Sequence, residues 1–218
     1  MINLGRTPCD EGVIRAAAAT PGCADRAKPW VLAATILGSS MAFIDGSVVN
    51  VALPLIQSDL NVSVQGAQWI VNGYMLVLGA LILVGGSAGD RFGRRRVFAL
   101  GAAIFTAASI GCGLAPNVTV LIAARVVQGI GGALLVPGSL ALISAAFPAE
   151  ERGKAIGTWA GCSAVTTALG PVLGGWLVDA LSWRAIFFIN VPIAVITLGI
   201  AFGHVPESRD RSEDSTVD

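Results

Sequence analysis

The stretch Gly86-Ser-Ala-Gly-Asp90-Arg91-Phe-Gly93-Arg94-Arg95-Arg96 is a glycine-rich turn between two long apolar runs. Apolar runs of this length predict membrane-spanning helices, so we expect the turn to lie at a membrane surface. Short loops rich in lysine and arginine stay on the cytoplasmic side of a membrane, which predicts that this surface is cytoplasmic. This one stretch therefore predicts an all-α membrane protein and its orientation.

The composition and the placement of charge agree with a multi-pass protein of the cell membrane. Hydrophobic residues make up 54% of the chain and charged residues 13%, and the formal net charge of zero gives no reason to expect nucleic acid as a partner. Most basic residues flank the apolar runs on one side, which predicts that both termini are cytoplasmic. They are Arg6, Arg15, Arg26, Lys28, Arg91, Arg94, Arg95, Arg96, Arg152, Lys154, Arg209 and Arg211. Arginine outnumbers lysine, which favours a bacterial source with a GC-rich genome.

Six apolar runs predict six transmembrane helices embedded in lipid. The predicted spans are Trp30–Leu55, Ala67–Ala88, Val97–Ala115, Val118–Phe147, Ala155–Ala180 and Ala185–Gly203. Residues 30–205 thus form the predicted bundle, and residues 1–29 and 206–218 are polar cytoplasmic tails.

The cysteines and the single histidine give no sign of an enzyme or of a metal site. Cys9, Cys23, Cys112 and Cys162 have no ligand spacing, and His204 only ends the last apolar run. The spans carry neither the cluster of catalytic groups that an enzyme needs nor the selectivity ring of a channel. We therefore expect a transporter without a cofactor.

A weak internal repeat indicates how the helices are arranged. The pattern Gly85-Gly86-x3-Asp90-x4-Arg95-x2-Phe98 recurs as Gly174-Gly175-x3-Asp179-x4-Arg184-x2-Phe187. The two copies join the second span to the third and the fifth to the sixth. Since each repeat holds three spans, the copies are expected to be inverted in the membrane, as in a 3+3 arrangement.

Two charged residues fall inside the predicted spans. Asp45 lies ~22 Å along the first span from its cytoplasmic start, and Arg125 lies ~20 Å from the same face, at 1.5 Å per residue. An isolated charge at this depth costs ~2.5–3.5 kcal/mol on insertion scales, so we expect the two to face each other or a shared aqueous cavity. Two interpretations remain: an ion pair that fixes helix packing, or a site where Asp45 gains and loses a proton.

The motifs together resemble those of the major facilitator superfamily. The quoted turn resembles the loop between helices 2 and 3 of that family, with Ala88 in place of the usual Leu. The segment from Ile44 to Pro54 resembles the fourteen-helix drug:proton antiporter branch, with Ser47 in place of Thr. Leu121-x3-Arg125-x2-Gln128-Gly129-x-Gly131 resembles the family's conserved-arginine motif.

The fifth span resembles the antiporter motif of that branch. The matching residues are Gly157, Gly170, Pro171, Gly174 and Gly175, and Thr166 departs from the second glycine of the motif. The resemblance implies proton-driven efflux of drugs or other small hydrophobic molecules, hydrophobic cations among them, with Asp45 and Arg125 coupling the proton. It also implies that the cytoplasmic turn is a latch that stabilises the outward-facing state. The latch residues would be Gly86, Asp90, Arg91, Gly93, Arg94 and Arg96, and the residues that could line a path are Asn50, Asn72 and Gln128.

The resemblance covers residues 30 to 210 but only the first half of the family. It implies the N-terminal six-helix half of a transporter, a truncated product whose tail from residue 206 starts the linker to further helices. Such a half would pair with a second six-helix half or with itself, because alternating access needs two bundles. The alternative is a non-transporting fragment or an accessory membrane subunit that modulates a full-length transporter.

Overall fold

The computed structural model describes residues 21–207, which form helices joined by short turns and contain no strand. The helices are α1 (Pro21–Leu60), α2 (Val64–Phe92), α3 (Arg94–Gly113), α4 (Val118–Ala146), α5 (Ala149–Ala180), α6 (Ala185–Phe188) and α7 (Asn190–His204). Six segments are long and apolar enough to cross a membrane, the sixth being α6 and α7 joined through Ile189. The prediction of six spans is confirmed. Residues 1–20 and 208–218 of the predicted tails, with Cys9 and the basic residues in them, lie outside the described residues.

The first helix is longer at both ends than the predicted span. It begins at Pro21 and ends at Leu60, because polar residues after Leu55 do not by themselves break a helix. The helix stops where Asn61 takes a positive φ of 50°, a conformation that terminates helices. The next helix starts at once, since the Ser63 hydroxyl accepts a hydrogen bond of 3.2 Å from the Gly66 amide.

The fifth helix also begins earlier than predicted, at Ala149 instead of Ala155. Two acidic residues, Glu150 and Glu151, lie in its first turn, where the positive end of the helix dipole favours carboxylates. Glu151 also accepts a hydrogen bond of 2.8 Å from Lys28, which ties the start of α5 to α1.

The packing of the helices follows the expected repeat, in which two units of three helices each have equivalent contacts. The most extensive contacts are those of α2 with α4, α3 with α4, and α1 with α5, followed by those of α1 with α7. In a 3+3 repeat, the first, second and third spans correspond to the fourth, fifth and sixth. The contact between α2 and α4 then corresponds to the contact between α5 and α1. The contact between α3 and α4 likewise corresponds to the contact between α7 and α1. The bundle therefore has the 3+3 arrangement that the sequence repeat predicts.

Glycines allow the close approach of α4 to its two neighbours. A Cβ atom on Gly85 of α2 would overlap the carbonyl oxygen of Ala133. A Cβ atom on Gly131 would lie 2.5 Å from the backbone nitrogen of Phe105 in α3. Small residues at such crossings let helix backbones pack directly in a membrane.

The described residues form three buried apolar clusters, two of them large. One large cluster includes Phe98 and Phe105, and the other includes Leu121 and Phe187. Along α1, Asp45 lies between Ala42 of the first and Val48 of the second. The bundle thus places its central charge at the junction of two apolar clusters.

Candidate functional site: a buried charge network

Asp45 of α1 and Arg125 of α4 form an ion pair in the middle of the bundle. Each residue is 1% exposed, and Nη1 of Arg125 donates a hydrogen bond to Oδ2 of Asp45. The sequence places both at one depth, and the structure brings their side chains into direct contact. Because the bilayer interior offers no water, the attraction between the two opposite charges offsets part of the hydration that each has lost.

Arg125 makes further contacts that offset the loss of its hydration. Its Nε donates to the carbonyl oxygen of Ile70 on α2 at 3.1 Å, and its Nη1 donates to Oε1 of Gln128 at 2.7 Å. The guanidinium lies 4.3 Å from the centre of the Tyr74 ring, a cation–π distance. A buried ion pair is tolerated only when extra hydrogen bonds of this kind satisfy its remaining groups.

Gln128 connects the ion pair to α3. Its Nε2 donates to Oδ1 of Asp45 and to Oγ of Ser109, both at 2.8 Å. The Cys112 thiol donates to Oε1 of Gln128 at 3.6 Å. Gln128 is fully buried, so this predicted path-lining residue lies inside the network and not on an exposed surface.

The network ends at Asn190, at the start of α7. Its Nδ2 donates to Oγ of Ser109 at 3.1 Å, while its Oδ1 is buried without a hydrogen-bond partner among the described residues. Ser109 was missed, because a lone serine in an apolar helix carries no signal without its partners.

The other two predicted path-lining residues are exposed. Asn50 of α1 and Asn72 of α2 both have exposed side chains. Nδ2 of Asn50 donates to the carbonyl oxygen of Gly46 at 2.9 Å, which leaves its Oδ1 free to accept. These amides thus lie on a surface of the bundle, whereas the ion pair lies within it.

The predicted latch is a single-residue joint between α2 and α3. Gly93 ends one helix and begins the next, with a φ of 104° that favours glycine. Arg94 donates two hydrogen bonds to Oδ1 of Asp90, at 2.9 and 2.8 Å. Arg96 lies 3.4 Å from the Glu207 carboxylate, and Arg91 is exposed above the ring of its neighbour Phe92.

Gly86, the first residue assigned to the latch, lies inside α2. A Cβ atom there would be in ordinary contact, 3.8 Å from Pro137 of α4. Gly86 is therefore part of the helix packing next to the turn, and the turn itself consists of the residues around Gly93.

The glycines of the fifth-span motif divide into two groups. A Cβ atom on Gly170 would overlap Oγ of Ser47, and one on Gly174 would lie 3.0 Å from Val48. These two glycines therefore let α5 pack closely on α1. A Cβ atom on Gly157 or Gly175 meets nothing within 4 Å, and Pro171 is also exposed.

A second polar cluster was missed by the sequence reasoning. The indole Nε1 of Trp159 in α5 donates to Oγ of Ser39 at 3.0 Å, and Ser39 donates to Oγ of Ser139 at 2.8 Å. All three residues are buried, so the cluster joins α5, α1 and α4. Within residues 21–207 no group of His, Cys, Asp and Glu side chains is placed to hold a metal ion.

Six apolar spans around a buried charge network define a multi-pass membrane protein. The profile of the Major Facilitator Superfamily matches residues 35–217, and the chain belongs to that family. This membership agrees with the expectation that the chain is not an enzyme. The spans, together with bacterial relatives, make it a multi-pass protein of the plasma membrane.

Bacterial drug-resistance proteins are among its curated relatives. Multidrug resistance protein Stp of Mycobacterium tuberculosis (strain CDC 1551) is 44% identical over 185 residues, which are 84% of this chain and 34% of that protein. The tetracenomycin C resistance and export protein of Streptomyces glaucescens is 42% identical over 180 residues, 82% of this chain and 34% of that protein. The chain thus spans about a third of the length of these relatives.

Solved structures share the fold at low sequence identity. A bacterial homologue of the human lysosomal transporter Spinster, in its inward-facing and occupied conformation, superposes with a TM-score of 0.71 at 22% identity. That match covers 84% of this chain and 46% of the other. The peptide transporter POT, as its E310Q mutant in complex with sulfate, gives a TM-score of 0.71 at 15% identity, covering 83% and 39%.

Proposed function

We propose that this chain is the N-terminal six-helix half of a proton-coupled efflux antiporter, with Asp45 as the group that binds the proton. The observation that carries this proposal is the buried pair of Asp45 and Arg125 at the centre of the bundle. Relatives named for multidrug resistance and for export of tetracenomycin C support efflux as the activity.

The geometry provides a means for a proton to move helices. When Asp45 accepts a proton, its carboxylate no longer balances Arg125, which stays charged at any physiological pH. Breaking a buried pair by neutralising one partner costs ~3–5 kcal/mol, because it leaves an uncompensated charge. That free energy favours a rearrangement of α1 against α4 in which the Arg125 guanidinium contacts water or another anion. Loss of the proton from Asp45 reverses the rearrangement.

The turn around Gly93 has the role of a latch in this proposal. The Asp90–Arg94 pair and the contacts of Arg95 and Arg96 with Glu207 join α2, α3 and the segment after α7 at one end of the bundle. We take this end to be cytoplasmic because of its arginines. Contacts at this end stabilise the outward-facing state, and they must loosen when the site opens inward.

A single half cannot enclose a central cavity, so the active unit contains a second bundle. The partner is either another six-helix half or a second copy of this chain. The alternative is an accessory or non-transporting membrane segment that modulates a full-length transporter.

The test is efflux of a hydrophobic fluorescent dye from bacterial cells that produce the 218-residue chain, with and without a protonophore. We expect efflux that depends on the proton gradient and is lost in Asp45→Asn. The matched control is Asp179→Asn, the same change at an exposed carboxylate near the end of α5, which should keep the activity. Gradient-dependent efflux in Asp45→Asn would refute the coupling role. A chain that inserts stably but exports nothing would support the accessory role.

A further inference from the structure

The exposed surfaces of the bundle differ in polarity. Every exposed residue between positions 97 and 113, and between 185 and 203, is apolar, as expected of helices that face lipid. These positions belong to α3, α6 and α7. The exposed polar side chains in the middle of the spans lie instead on α1, α2 and α5.

Three exposed side chains of α1 and α2 are amides with free hydrogen-bonding groups, two of them in the middle of their spans and the third, Gln68, one turn from the start of α2. Gln68 and Asn72 of α2 are exposed and make no hydrogen bond to any described residue, and Asn50 of α1 has a free Oδ1. Asn50 and Asn72 lie ten and eight residues from the helix ends that flank the short turn between α1 and α2. At 1.5 Å per residue both are therefore ~12–15 Å below that turn. We call the exposed face of α1 and α2 that carries Gln68, Asn72 and Asn50 the amide wall.

The amide wall carries no accessible charge. Between residues 21 and 207, Asp45 is the one carboxylate in the middle of a span, and it is 1% exposed and already paired with Arg125. The nearest acidic residue along α1 is Asp59, close to the end of the helix, where it is paired with Arg184 at 2.9 Å. A cation on the wall would therefore lose hydration without gaining a counterion from the part of the chain that the structure describes.

We propose that the amide wall binds an uncharged, polar aromatic compound, and that Asp45 handles the proton without touching the substrate. This inference rests on the proposed function and names its substrate class. It departs from the hydrophobic cations that the family resemblance suggests. A planar ring system with a carbonyl and an N–H group fits the wall, because each amide can donate and accept a hydrogen bond. Apolar neighbours such as Met75 and Leu76, which are exposed on α2, supply contact for the rings.

The test measures binding to the purified 218-residue chain in phosphatidylcholine nanodiscs by fluorescence anisotropy. The probes are acridone, which is uncharged with one carbonyl and one N–H group, and 10-methylacridinium, a permanent cation of nearly the same shape. We expect saturable binding of acridone and none of 10-methylacridinium. Asn72→Leu should raise the Kd for acridone about fivefold, the effect of one net hydrogen bond. Thr119→Val, which removes an exposed hydroxyl at the start of α4, outside the amide wall, should leave the Kd unchanged.

A variant that gains binding of the cationic probe distinguishes a change in ligand recognition from a loss of folding. Asn72→Asp places a carboxylate on the amide wall and should create saturable binding of 10-methylacridinium. Equal or tighter binding of 10-methylacridinium than of acridone by the unmodified chain would overturn the inference. So would the absence of acridone binding, or an unchanged Kd in Asn72→Leu.

The binding assay tests the substrate class of the amide wall, and the efflux assay tests the coupling role of Asp45, so either proposal can be refuted without the other. The binding assay uses no proton gradient, so selective binding of acridone stands even when Asp45→Asn does not affect transport. In that case only the coupling role is refuted. Proton-coupled efflux together with a preference for the cationic probe would refute only the substrate class.

Discussion

Arg95 and Arg184 occupy equivalent positions at opposite ends of the bundle. Nη1 of Arg95 donates to the carbonyl oxygen of Val205, just after α7, at 2.9 Å. Nη2 of Arg184 donates to the carbonyl oxygen of Ala115, just after α3, at 3.2 Å. These are the two arginines that align in the sequence repeat, so each three-helix unit caps the last helix of the other.

These reciprocal caps should contribute to stability. We expect Arg95→Gln and Arg184→Gln each to lower the free energy of unfolding by about 1.5–3 kcal/mol, the range for hydrogen bonds made by charged groups. Thermal denaturation in detergent measures the effect. Arg91→Gln, at an exposed arginine whose guanidinium contacts only the ring of Phe92 next to it, serves as the control and should stay within about 0.5 kcal/mol. Equal losses in all three variants would show that the caps contribute nothing specific.

The central ion pair should show strong energetic coupling. Asp45→Asn and Arg125→Gln each leave one polar partner of a buried network unmatched, and we expect each to cost about 3–5 kcal/mol. The double variant should cost less than the sum of the two, because it leaves no lone charge in the core, with a coupling free energy of about 0.5–3 kcal/mol. A double-mutant cycle on unfolding free energies measures it. Strict additivity would argue against direct pairing of the two residues.

Two glycines six residues apart on α2 should respond oppositely to alanine. Gly85→Ala puts a Cβ atom into the backbone carbonyl of Ala133, which cannot move without shifting α4, so we expect a loss of about 1–3 kcal/mol or more. Gly79→Ala meets nothing within 4 Å and should be neutral or stabilising by up to about 1 kcal/mol. Denaturation midpoints of the two purified variants test this, and a stable Gly85→Ala variant would contradict the close α2–α4 crossing.

The number and positions of the membrane spans could be predicted from the sequence because the bilayer determines them. Span lengths and the placement of basic residues follow from bilayer thickness and topology, and a charged residue at mid-span requires a partner at its own depth. Asp45 and Arg125 could therefore be matched by residue counting alone. The helix ends were less predictable, since α1 continues through polar residues until Asn61.

The partners of the charge network depend on helix rotation, which residue counting does not provide. Ser109 and Ser39 are ordinary serines in apolar helices, and only the assembled bundle shows that they face Gln128 and Trp159. The same reason explains why Gln128 is buried while Asn72 is exposed. A helix fixes which of its residues share a face, but packing with neighbours decides which face turns inward.

The joint at Gly93 also bears on how this gene can change. Any missense mutation in a glycine codon introduces a side chain, and at a φ of 104° every such side chain is strained. A Cβ atom there would also lie 2.6 Å from Oε1 of Glu207. Because this one residue both ends α2 and begins α3, no adjacent loop residue can change its backbone conformation to relieve the strain. Random mutagenesis should therefore recover almost no functional substitutions at this codon.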